Sequence, residues 1–362
     1  MKHTKKVLSV VFAVLMAVTM FNIFALAADE SVTARFLNYN VAGQPNVDYL
    51  LGRGGFDVSA KQKYLGEVLN ESDFDVVATQ EDFSFHKNLI SGMTSYQYKT
   101  KSSGGVVGGD GLNIMTKNQP IYNCTRITWD VCFGSIAEGD TLAPKGMMFT
   151  VLDMGNGIFV DFYDLHADAF DGDGSALARE AQYKQLMAYI EKNSADRPVI
   201  ITGDFNTSLH IQNTGDNGAD EAAMYDVIYT EHGFKDAWIE LVNEGDYQNF
   251  SKWYATGQSY WGHWDSVEKF YYRDGKDITV EPSDFTYIDF RTADNSMSIS
   301  DHNAAACTFT FTKTADFVED ARPHTVNTKS DFAVFVNLVK WIFKDLMQVF
   351  THFDEVKAFL GI

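Results

Sequence analysis

Apolar, strand-like runs that each end in a short polar motif are the feature that most constrains the fold of this 362-residue chain. Seven segments have the composition of strands: 34–39, 75–79, 111–116, 145–153, 157–164, 199–202 and 304–312. Two others, 60–70 and 175–193, have helical periodicity, and the second would place Leu177 and Ile190 on an apolar face. This alternation predicts an α/β (α+β) fold in which sheets and helices form layers.

The polar motifs offer the groups that one reaction needs. In chain order they are Asn38-Tyr39-Asn40, Gln80-Glu81-Asp82, Asp164-Leu165-His166, Gly203-Asp204-Phe205-Asn206 and Ser300-Asp301-His302. Carboxylate and amide oxygens are the ligands that Mg²⁺ or Mn²⁺ prefers, and imidazoles beside such a metal exchange protons with an attacking water and a leaving oxygen. The set therefore predicts hydrolysis of a phosphate ester.

Each motif taken alone has an ordinary explanation. A polar residue at a strand end is usually a turn former or a cap, and an isolated histidine usually bonds a backbone carbonyl. Five motifs at strand ends that all serve one reaction are hard to obtain from independent caps. Asp204 and Asn206, at a spacing of two, would lie on one side of an extended backbone and orient one water together.

The charge of the chain limits its partners. It has 29 basic and 49 acidic residues, a formal net charge of −20. Tight binding to nucleic acid draws most of its free energy from Lys and Arg that displace counterions, so this balance argues against a processive nucleic-acid binder. A nuclease that relies on bound divalent cations remains compatible with the composition.

Both ends of the sequence differ from its middle. Residues 1–27 have a basic start, an apolar stretch and a small-x-small cleavage site, which predicts a signal peptide, secretion and an extracellular protein. A retained anchor is the alternative, because the apolar stretch is nearly long enough to span a bilayer. We expect a catalytic domain over 29–313, a linker over 314–330 and an amphipathic helical segment over 331–362.

The C-terminal segment 331–362 has two expected roles. Its interspersed charges disfavour a transmembrane span. It would therefore pack on the protein itself, or make contact with a membrane or cell surface. We expect a monomer. Cys124 and Cys132 flank a short strand-like run, and the sequence leaves open whether they form a disulfide.

The motifs resemble those of the endonuclease/exonuclease/phosphatase superfamily, which includes pancreatic-type deoxyribonucleases, neutral sphingomyelinases and inositol polyphosphate 5-phosphatases. The resemblance runs from about 35 to 312, with support from 111–116 and from Arg179-Glu180-x-Gln182. It implies a four-layered α/β/β/α sandwich of two packed mixed β-sheets. Further candidates for the cleft are His86, Asp110 and Asp168, for which loop hydrogen bonding is an equal alternative.

The resemblance also implies a role for each residue. Mg²⁺, or Mn²⁺, would be held by Asn40 and Glu81, with Asp301 nearby as a third ligand or an orienting group. Asp204 would position or deprotonate the water, and Asn206 would hold a phosphate oxygen or the metal. The two remaining residues, His166 and His302, would donate hydrogen bonds to the pentacoordinate phosphate.

One position departs from the superfamily pattern, which usually has an Asp that orients the final histidine. Glu268 stands where that Asp is expected, and its longer side chain could still reach His302. Asp289 sits in a more typical local sequence but is too close to Asp301 along the chain. We expect Glu268 to orient His302 and Asp289 to be a surface residue.

These observations predict a secreted Mg²⁺-dependent phosphodiesterase, either a nuclease or a sphingomyelinase-like enzyme that acts on a phospholipid headgroup. An inositol or nucleotide phosphomonoesterase is an alternative, which would need basic residues such as Lys145, Arg179 and Arg273 in the pocket. A non-catalytic surface binding module is an alternative of another class. It is disfavoured because the chain keeps the complete set of motifs.

Overall fold

Two six-stranded sheets organise the protein. The structure is a computed structural model, which describes residues 31–46, 49, 51–52, 55–105, 109–134, 143–208, 218–248 and 265–325. The predicted signal peptide 1–27 and the C-terminal segment 331–362 lie outside the described residues, as does the end of the predicted linker.

The strands are β1 (Ser31–Asn40), β2 (Val76–Gln80), β3 (Tyr98–Lys99), β4 (Asn113–Thr116), β5 (Ile121–Thr128), β6 (Gly146–Gly155), β7 (Ile158–His166), β8 (Val199–Asp204), β9 (Lys235–Asp236), β10 (Glu268–Arg273), β11 (Ile278–Ile288) and β12 (Ala304–Lys313). The helices are α1 (Val58–Glu71), α2 (His86–Gly92), α3 (Asp173–Ser194), α4 (Ala219–Ala223) and α5 (Ala237–Leu241), with a π-helix at Met224–Glu231.

Both sheets are mixed. The first has the order β11-β12-β1-β2-β4-β3 and the second β5-β6-β7-β8-β10-β9. Only β1 with β2 and β7 with β8 pair in parallel, and the other pairs between described strands are antiparallel. The carboxyl ends of the parallel pairs carry Asn40, Gln80, His166 and Asp204. We call this edge of the sandwich the site edge and the opposite one the far edge.

Because side chains alternate between the two faces of each strand, the core has three layers. One lies between the sheets, one between the first sheet and α1 and α2, and one between the second sheet and α3. Phe36 on β1 points between the sheets, where its ring lies 5.7 Å from that of Phe162, while Leu37 points outward toward α1 and α2. On β8 the inner residue is Ile200, and Ile201 packs toward α3. Burying each such side chain stabilises the fold by about 1.5–3 kcal/mol. The predicted sandwich of two packed mixed sheets with helices outside is confirmed.

The seven predicted strands and both predicted helices are present, with ends shifted by a few residues. One detail differs, because Leu177 is exposed rather than part of the apolar face of α3. The face instead passes through residues such as Tyr183 and Ile190. No helix in the described part of the chain is both long and apolar enough to cross a bilayer.

Residues 314–325, the start of the predicted linker, lie across the second sheet at the far edge. We call them the strap. Arg322 donates two hydrogen bonds to the fully buried carboxylate of Asp161 on β7, at 2.9 and 2.6 Å. Thr325 accepts a hydrogen bond from the backbone of Asn123 on β5. The His324 ring stacks on Phe159 with centroids 3.9 Å apart. The strap is therefore packed against the sandwich.

Candidate active site

Strand pairing brings the predicted residues to one edge. His166 is paired with Asp204 in the parallel ladder of β7 and β8, and Glu268 is paired with Asp204 from the other side. Asn40 ends β1 and Glu81 follows β2, so both come from the first sheet. The two sheets pack face to face. The site therefore lies at the site edge, where the carboxyl ends of β1 and β2 from the first sheet meet those of β7 and β8 from the second.

Asp204 is the centre of the cluster. Its Oδ2 accepts a hydrogen bond from Asn40 Nδ2 at 2.9 Å and lies 3.5 Å from His166 Nε2 and 3.9 Å from His302 Nδ1. Its Oδ1 accepts from the backbone N–H of Asn206 at 2.9 Å. Burial raises the pKa of Asp204 above its usual range, although the His302 imidazolium opposes this. A desolvated carboxylate of raised pKa is a stronger base than one in water.

His302 is held by a carboxylate. Its Nδ1 hydrogen-bonds to Oε1 of Glu268, which is buried on β10 and also accepts from Ser266 Oγ. Burial lowers the pKa of His302, but Asp204, Glu268 and Asp301 outweigh it and raise the pKa to about 10. The imidazole is therefore protonated at neutral pH.

The second ring nitrogen of His302 is aimed into the site. Nε2 lies 3.4 Å from Asn40 Nδ2, whose two hydrogens already serve Glu81 and Asp204. Both nitrogens are donors when His302 is protonated, so they do not bond each other. The Nε2–H is thus a charged donor available to an anionic oxygen.

His166 has the opposite protonation state. It is buried, and desolvation together with the charges of Lys145 and His302 lowers its pKa well below 6.5. Its contact with Asp204 favours a hydrogen on Nε2, which leaves Nδ1 as a buried acceptor without a hydrogen-bond partner among the described residues. Two histidines on either side of one carboxylate are therefore set to different charges.

Asn40 and Glu81 form the candidate metal side of the site. Asn40 Nδ2 donates to Glu81 Oε1 at 3.2 Å, and Gln44 Nε2 donates to Glu81 Oε2 at 2.6 Å. Asn40 Oδ1 accepts from the backbone of Ala42, so its amide must rotate to offer oxygen to a cation. The carboxylates of the site are Glu81, Asp204, Glu268 and Asp301, and they outnumber its basic groups. Oxygen donors of this kind suit a hard divalent ion.

Glu81 has a backbone conformation that few non-glycine residues adopt, with φ +55°. Gly111, at φ +72°, lies so close that a Cβ there would stand 2.7 Å from the Phe83 ring and 3.1 Å from Glu81 Cα. The Gly111 carbonyl also accepts the N–H of Asp82. The glycine in the segment 111–116 thus allows the turn that presents Glu81 to the site.

Asp301 is exposed, and its Oδ1 lies 3.3 Å from Ser300 Oγ. The three metal-ligating side chains that come within 4.8 Å of one another among the described residues are Asp204, Glu268 and His302. This set differs from the predicted Asn40, Glu81 and Asp301. Because Glu268 and His302 already satisfy each other, the Asn40–Glu81 side fits a magnesium ion better.

Asn206 has a left-handed backbone as well, with φ +51°, and its Nδ2 donates to the carbonyl of Ala167 at 3.2 Å. Thr207 after it hydrogen-bonds to Asp220, which also accepts from Arg179 Nε at 2.6 Å. The loop that follows β8 is thus held by hydrogen bonds to Ala167 and to the buried Asp220.

These contacts place Arg179, one of the basic residues that a phosphomonoesterase would need in its pocket, beneath the site rather than in it. Its guanidinium is fully buried and pairs with Asp220, which in turn hydrogen-bonds to Thr207 on the loop of Asn206. Arg273 pairs with Glu191 at 2.6 Å, at the far edge. Lys145 is buried near His166, and its Nζ donates to the carbonyl of Ala167 at 3.3 Å.

A buried polar network beneath the site was not found from the sequence. Gln80 Nε2 donates to Asn38 Oδ1 at 2.7 Å and to Asp164 Oδ1 at 2.6 Å, and Asn38 Nδ2 donates to the Gly203 carbonyl. Burial raises the pKa of Asp164 well above its usual value. Asn38, Gln80 and Asp164 all belong to the polar motifs of the sequence. Because side chains alternate along a strand, their positions indicate that they point between the two sheets. The network joins β1, β2, β7 and β8, whose last residues are Asn40, Gln80, His166 and Asp204.

The additional cleft candidates are held in loop contacts. His86 pairs with Asp82 at 2.5 Å and Asp110 with Arg126 at 2.5 Å. Asp168 accepts from the backbone of Phe133 at 2.6 Å. These three residues therefore stabilise the loops around the site, and these contacts do not join them to Asp204.

Asp289 is exposed and pairs with Arg291 at 2.7 Å. The three cysteines are all among the described residues, and none of them is disulfide-bonded.

Comparisons with known proteins find similar sequences and similar folds. Over 251 residues the chain is 28% identical to a sphingomyelinase of Mycobacterium bovis and Mycobacterium tuberculosis, covering 68% of this chain and 46% of the relative. The chain thus spans about half the length of the curated relatives it matches.

Two solved structures share the fold. One is D. rerio TDP2 complexed with a single-strand DNA product, at 17% identity and TM-score 0.55, covering 76% of this chain and 98% of that one. The other is a mutant of beta toxin from Staphylococcus aureus with bound magnesium ions, at 18% identity and TM-score 0.50, with 76% and 98% covered. The model of the Endonuclease/Exonuclease/phosphatase family matches residues 37–268. Together with the arrangement of Asn40, Asp204 and His302, this match establishes that the chain belongs to that family.

Proposed function

We propose that the protein is a Mg²⁺-dependent phosphodiesterase that hydrolyses its substrate by attack of water. The observation that carries this proposal is the position of Asp204 between a neutral His166 and a protonated His302. A base beside a charged hydrogen-bond donor is the arrangement that hydrolysis of an anionic ester needs.

Each residue then has a defined task. Asp204 accepts a proton from the attacking water, because it is buried and its pKa is raised. His302 donates Nε2–H to an oxygen of the phosphoryl group, and Glu268 keeps the ring in that orientation and charged. Asn206 lies beside them on the loop after β8, and its side chain would orient the phosphoryl group.

Asn40 and Glu81 would hold the metal, with Asp301 as a further ligand if its exposed side chain turns inward. The bound ion would supply charge neutralisation for the phosphoryl and leaving oxygens. Magnesium rather than a softer ion is favoured because these donors are oxygens. The beta toxin structure with bound magnesium has the same fold, which supports the choice.

A phospholipid headgroup is the substrate class that we favour. The support is the sequence similarity to a mycobacterial sphingomyelinase and the net charge of −20, which disfavours a polyanion. Nuclease activity is the second candidate, because the fold is shared with a TDP2 structure that contains DNA. A phosphomonoesterase is less favoured, since Arg179 and Arg273 both pair with carboxylates instead of facing the site. A binding module without catalysis would not need His166 and His302 in different protonation states.

We also propose that the protein is secreted by means of residues 1–27 and acts as a monomer. Contact of residues 331–362 with a membrane or cell surface belongs to the same proposal. The basis is the sequence of these two segments.

The test is hydrolysis of sphingomyelin vesicles, plasmid DNA and inositol phosphates, each with Mg²⁺ and with EDTA. We expect EDTA-sensitive release of phosphocholine from sphingomyelin. His302→Ala should lower turnover by at least about 100-fold. The matched control is His232→Ala, because His232 also faces a glutamate, Glu191 at 3.4 Å, but far from the site. EDTA-resistant turnover, or equal turnover of both variants, would contradict the mechanism.

A further inference from the structure

Four exposed apolar side chains lie on segments at the site edge of the second sheet, where β5 and β7 end and α3 begins. Val131 and Phe133 follow β5, Phe170 follows β7, and Leu177 is on the first turns of α3. They are 45%, 50%, 50% and 49% exposed, respectively. We call these four residues the apolar rim. Large side chains exposed in one place on a folded domain usually mark a binding surface.

The backbone of the apolar rim is fixed by hydrogen bonds. Gln182 Nε2 donates to the Val131 carbonyl at 2.9 Å, and the Phe133 N–H donates to Asp168 Oδ2 at 2.6 Å. Arg179 donates to the Phe170 carbonyl at 2.7 Å. Phe170 itself has φ +69°, which a phenylalanine rarely adopts. These hydrogen bonds thus hold the backbone of Val131, Phe133 and Phe170 in place, at a cost in backbone strain at Phe170.

Phe133 and Leu177 are brought together by α3. The ring of Phe133 lies over Gly174, where an added Cβ would come within 2.4–2.6 Å of three of its ring atoms. Leu177 is three residues further along the helix and is therefore on the same face as Gly174.

The apolar rim shares its supports with the catalytic cluster. Asp168, which fixes Phe133, is two residues after His166, whose carbonyl accepts a hydrogen bond from Trp129. Arg179, which fixes Phe170, also holds the Asp220 that fastens Thr207. A surface bound at the apolar rim would therefore be held at the entrance to the site.

The charges around the apolar rim select the kind of surface. Residues 130–134 and 168–178 contain no Lys or Arg, and the exposed acidic residues there are Asp130, Asp171 and Asp173. Acidic side chains repel nucleic acid and anionic lipid. Aromatic rings together with carboxylates attract quaternary ammonium groups.

We propose that the apolar rim docks the protein on a bilayer of choline-headgroup lipids, with Phe133 and Phe170 entering the headgroup layer. This inference rests on the proposed phosphodiesterase function and names the surface on which that site would act. Docking would bring phosphodiesters of the headgroup layer to His302 and Asp204 without a requirement for basic residues.

Vesicle binding and soluble turnover test the proposal separately. The full chain with Phe133→Ser and Phe170→Ser would be assayed on phosphatidylcholine–sphingomyelin vesicles and on soluble bis(p-nitrophenyl) phosphate. We expect vesicle hydrolysis to fall by at least about tenfold, because the interfacial aromatic anchors are removed, while soluble turnover is unchanged. Tyr98→Ser and Val318→Ser are the controls, since both residues are exposed but lie at the far edge, and both should hydrolyse vesicles normally.

A local readout excludes an effect of other segments. In the His302→Ala background, which keeps the six native tryptophans, Phe170→Trp adds one indole. The quenching that this variant shows beyond its His302→Ala parent should appear with brominated phosphatidylcholine vesicles but not with brominated phosphatidylglycerol vesicles. Absence of quenching, equal quenching by the anionic lipid, or equal vesicle hydrolysis by the double serine variant would each overturn the docking surface. None of these outcomes affects soluble turnover, on which the proposed function is judged independently.

Discussion

His302 Nδ1 donates a hydrogen bond to Glu268 Oε1, and this pair joins the loop before β12 of one sheet to β10 of the other. The position of the imidazole therefore depends on how the two sheets pack. The contact also keeps the ring charged, since Glu268 and Asp204 together raise its pKa to about 10.

Glu268→Gln should lower the pKa of His302, because it removes one of the carboxylates that stabilise the imidazolium. We expect a loss of at least about tenfold in kcat and an alkaline limb that begins at lower pH. A pH–rate profile and an NMR titration of His302 would measure both. Asp289→Asn is the control, since Asp289 pairs with Arg291 at the surface. An unchanged alkaline limb in Glu268→Gln would show that the glutamate does not act through His302.

The same pKa predicts how stability depends on pH. The folded pKa of His302, about 10, is above its ordinary value of 6.5, so the folded state binds the proton more tightly. Its contribution is full below pH 6.5 and is lost as the pH rises toward 10. Urea unfolding of the protein and of His302→Gln should therefore differ most at pH 6 and converge near pH 10. A difference that grows with pH would contradict this sign.

Asp164→Asn should make the protein relatively more stable as the pH rises. Burial raises the folded pKa of Asp164 well above 3.8, so the protein loses stability as the pH rises from 3.8 toward the folded pKa, a range in which the unfolded chain releases this proton and the folded protein retains it. The amide keeps an oxygen for Gln80 and carries no charge. Unfolding free energies at pH 4, 6 and 8 would test this, with exposed Asp316→Asn as the control. A constant difference across these pH values would exclude ionisation of Asp164 as the cause.

Arg322→Ala should destabilise the protein by about 2–4 kcal/mol, because it leaves the buried Asp161 without its bidentate partner. The control Arg291→Ala removes an exposed pair and should cost at most about 1 kcal/mol. Combining Asp161→Leu with Arg322→Met should recover most of the loss. If Arg322→Ala and Arg291→Ala melt alike, the strap is not part of the folded domain.

Glu81→Gln should raise the Mg²⁺ concentration for half-maximal activity by at least about tenfold, because one anionic ligand is lost. Gln44→Ala should have a smaller effect in the same direction, since Gln44 orients Glu81 through a 2.6 Å hydrogen bond. Exposed Glu71→Gln is the control. A Mg²⁺ requirement that is unchanged in Glu81→Gln would move the metal to the cluster of Asp204, Glu268 and His302.

The sequence predicted the fold well because strand alternation and helical periodicity are local signals. β1 and β8 were identified from apolar runs that end in Asn40 and Asp204, and the parallel ladders then bring these ends together. β11 was not predicted as a full strand. It contains Pro282 and a bulge between Ser283 and Thr286, with Asp284 at φ +52°, and such interruptions hide a period of two.

Long-range pairing could not be predicted in the same way. Arg179 and Asp220 are 41 residues apart, and nothing local to Arg179 indicates that its partner is a carboxylate below the Asn206 loop. The cross-sheet bond of Gln80 to Asp164 is equally non-local. The protonation states of His166 and His302 depend on burial and on neighbours from both sheets, which only the folded arrangement supplies.

The antiparallel course of β12 returns the chain to the level at which β1 begins, since Ser31 is paired with Thr312. Ser31 and the strap thus lie at the far edge, roughly 30 Å of strand length from His166 and Asp204. A fusion partner or an affinity handle joined directly to Ser31 or to Thr325 would therefore be attached at the edge opposite His166 and Asp204. Residues 31–325 held on a support at either of these two positions would keep the site edge directed away from the support and open to a large substrate surface.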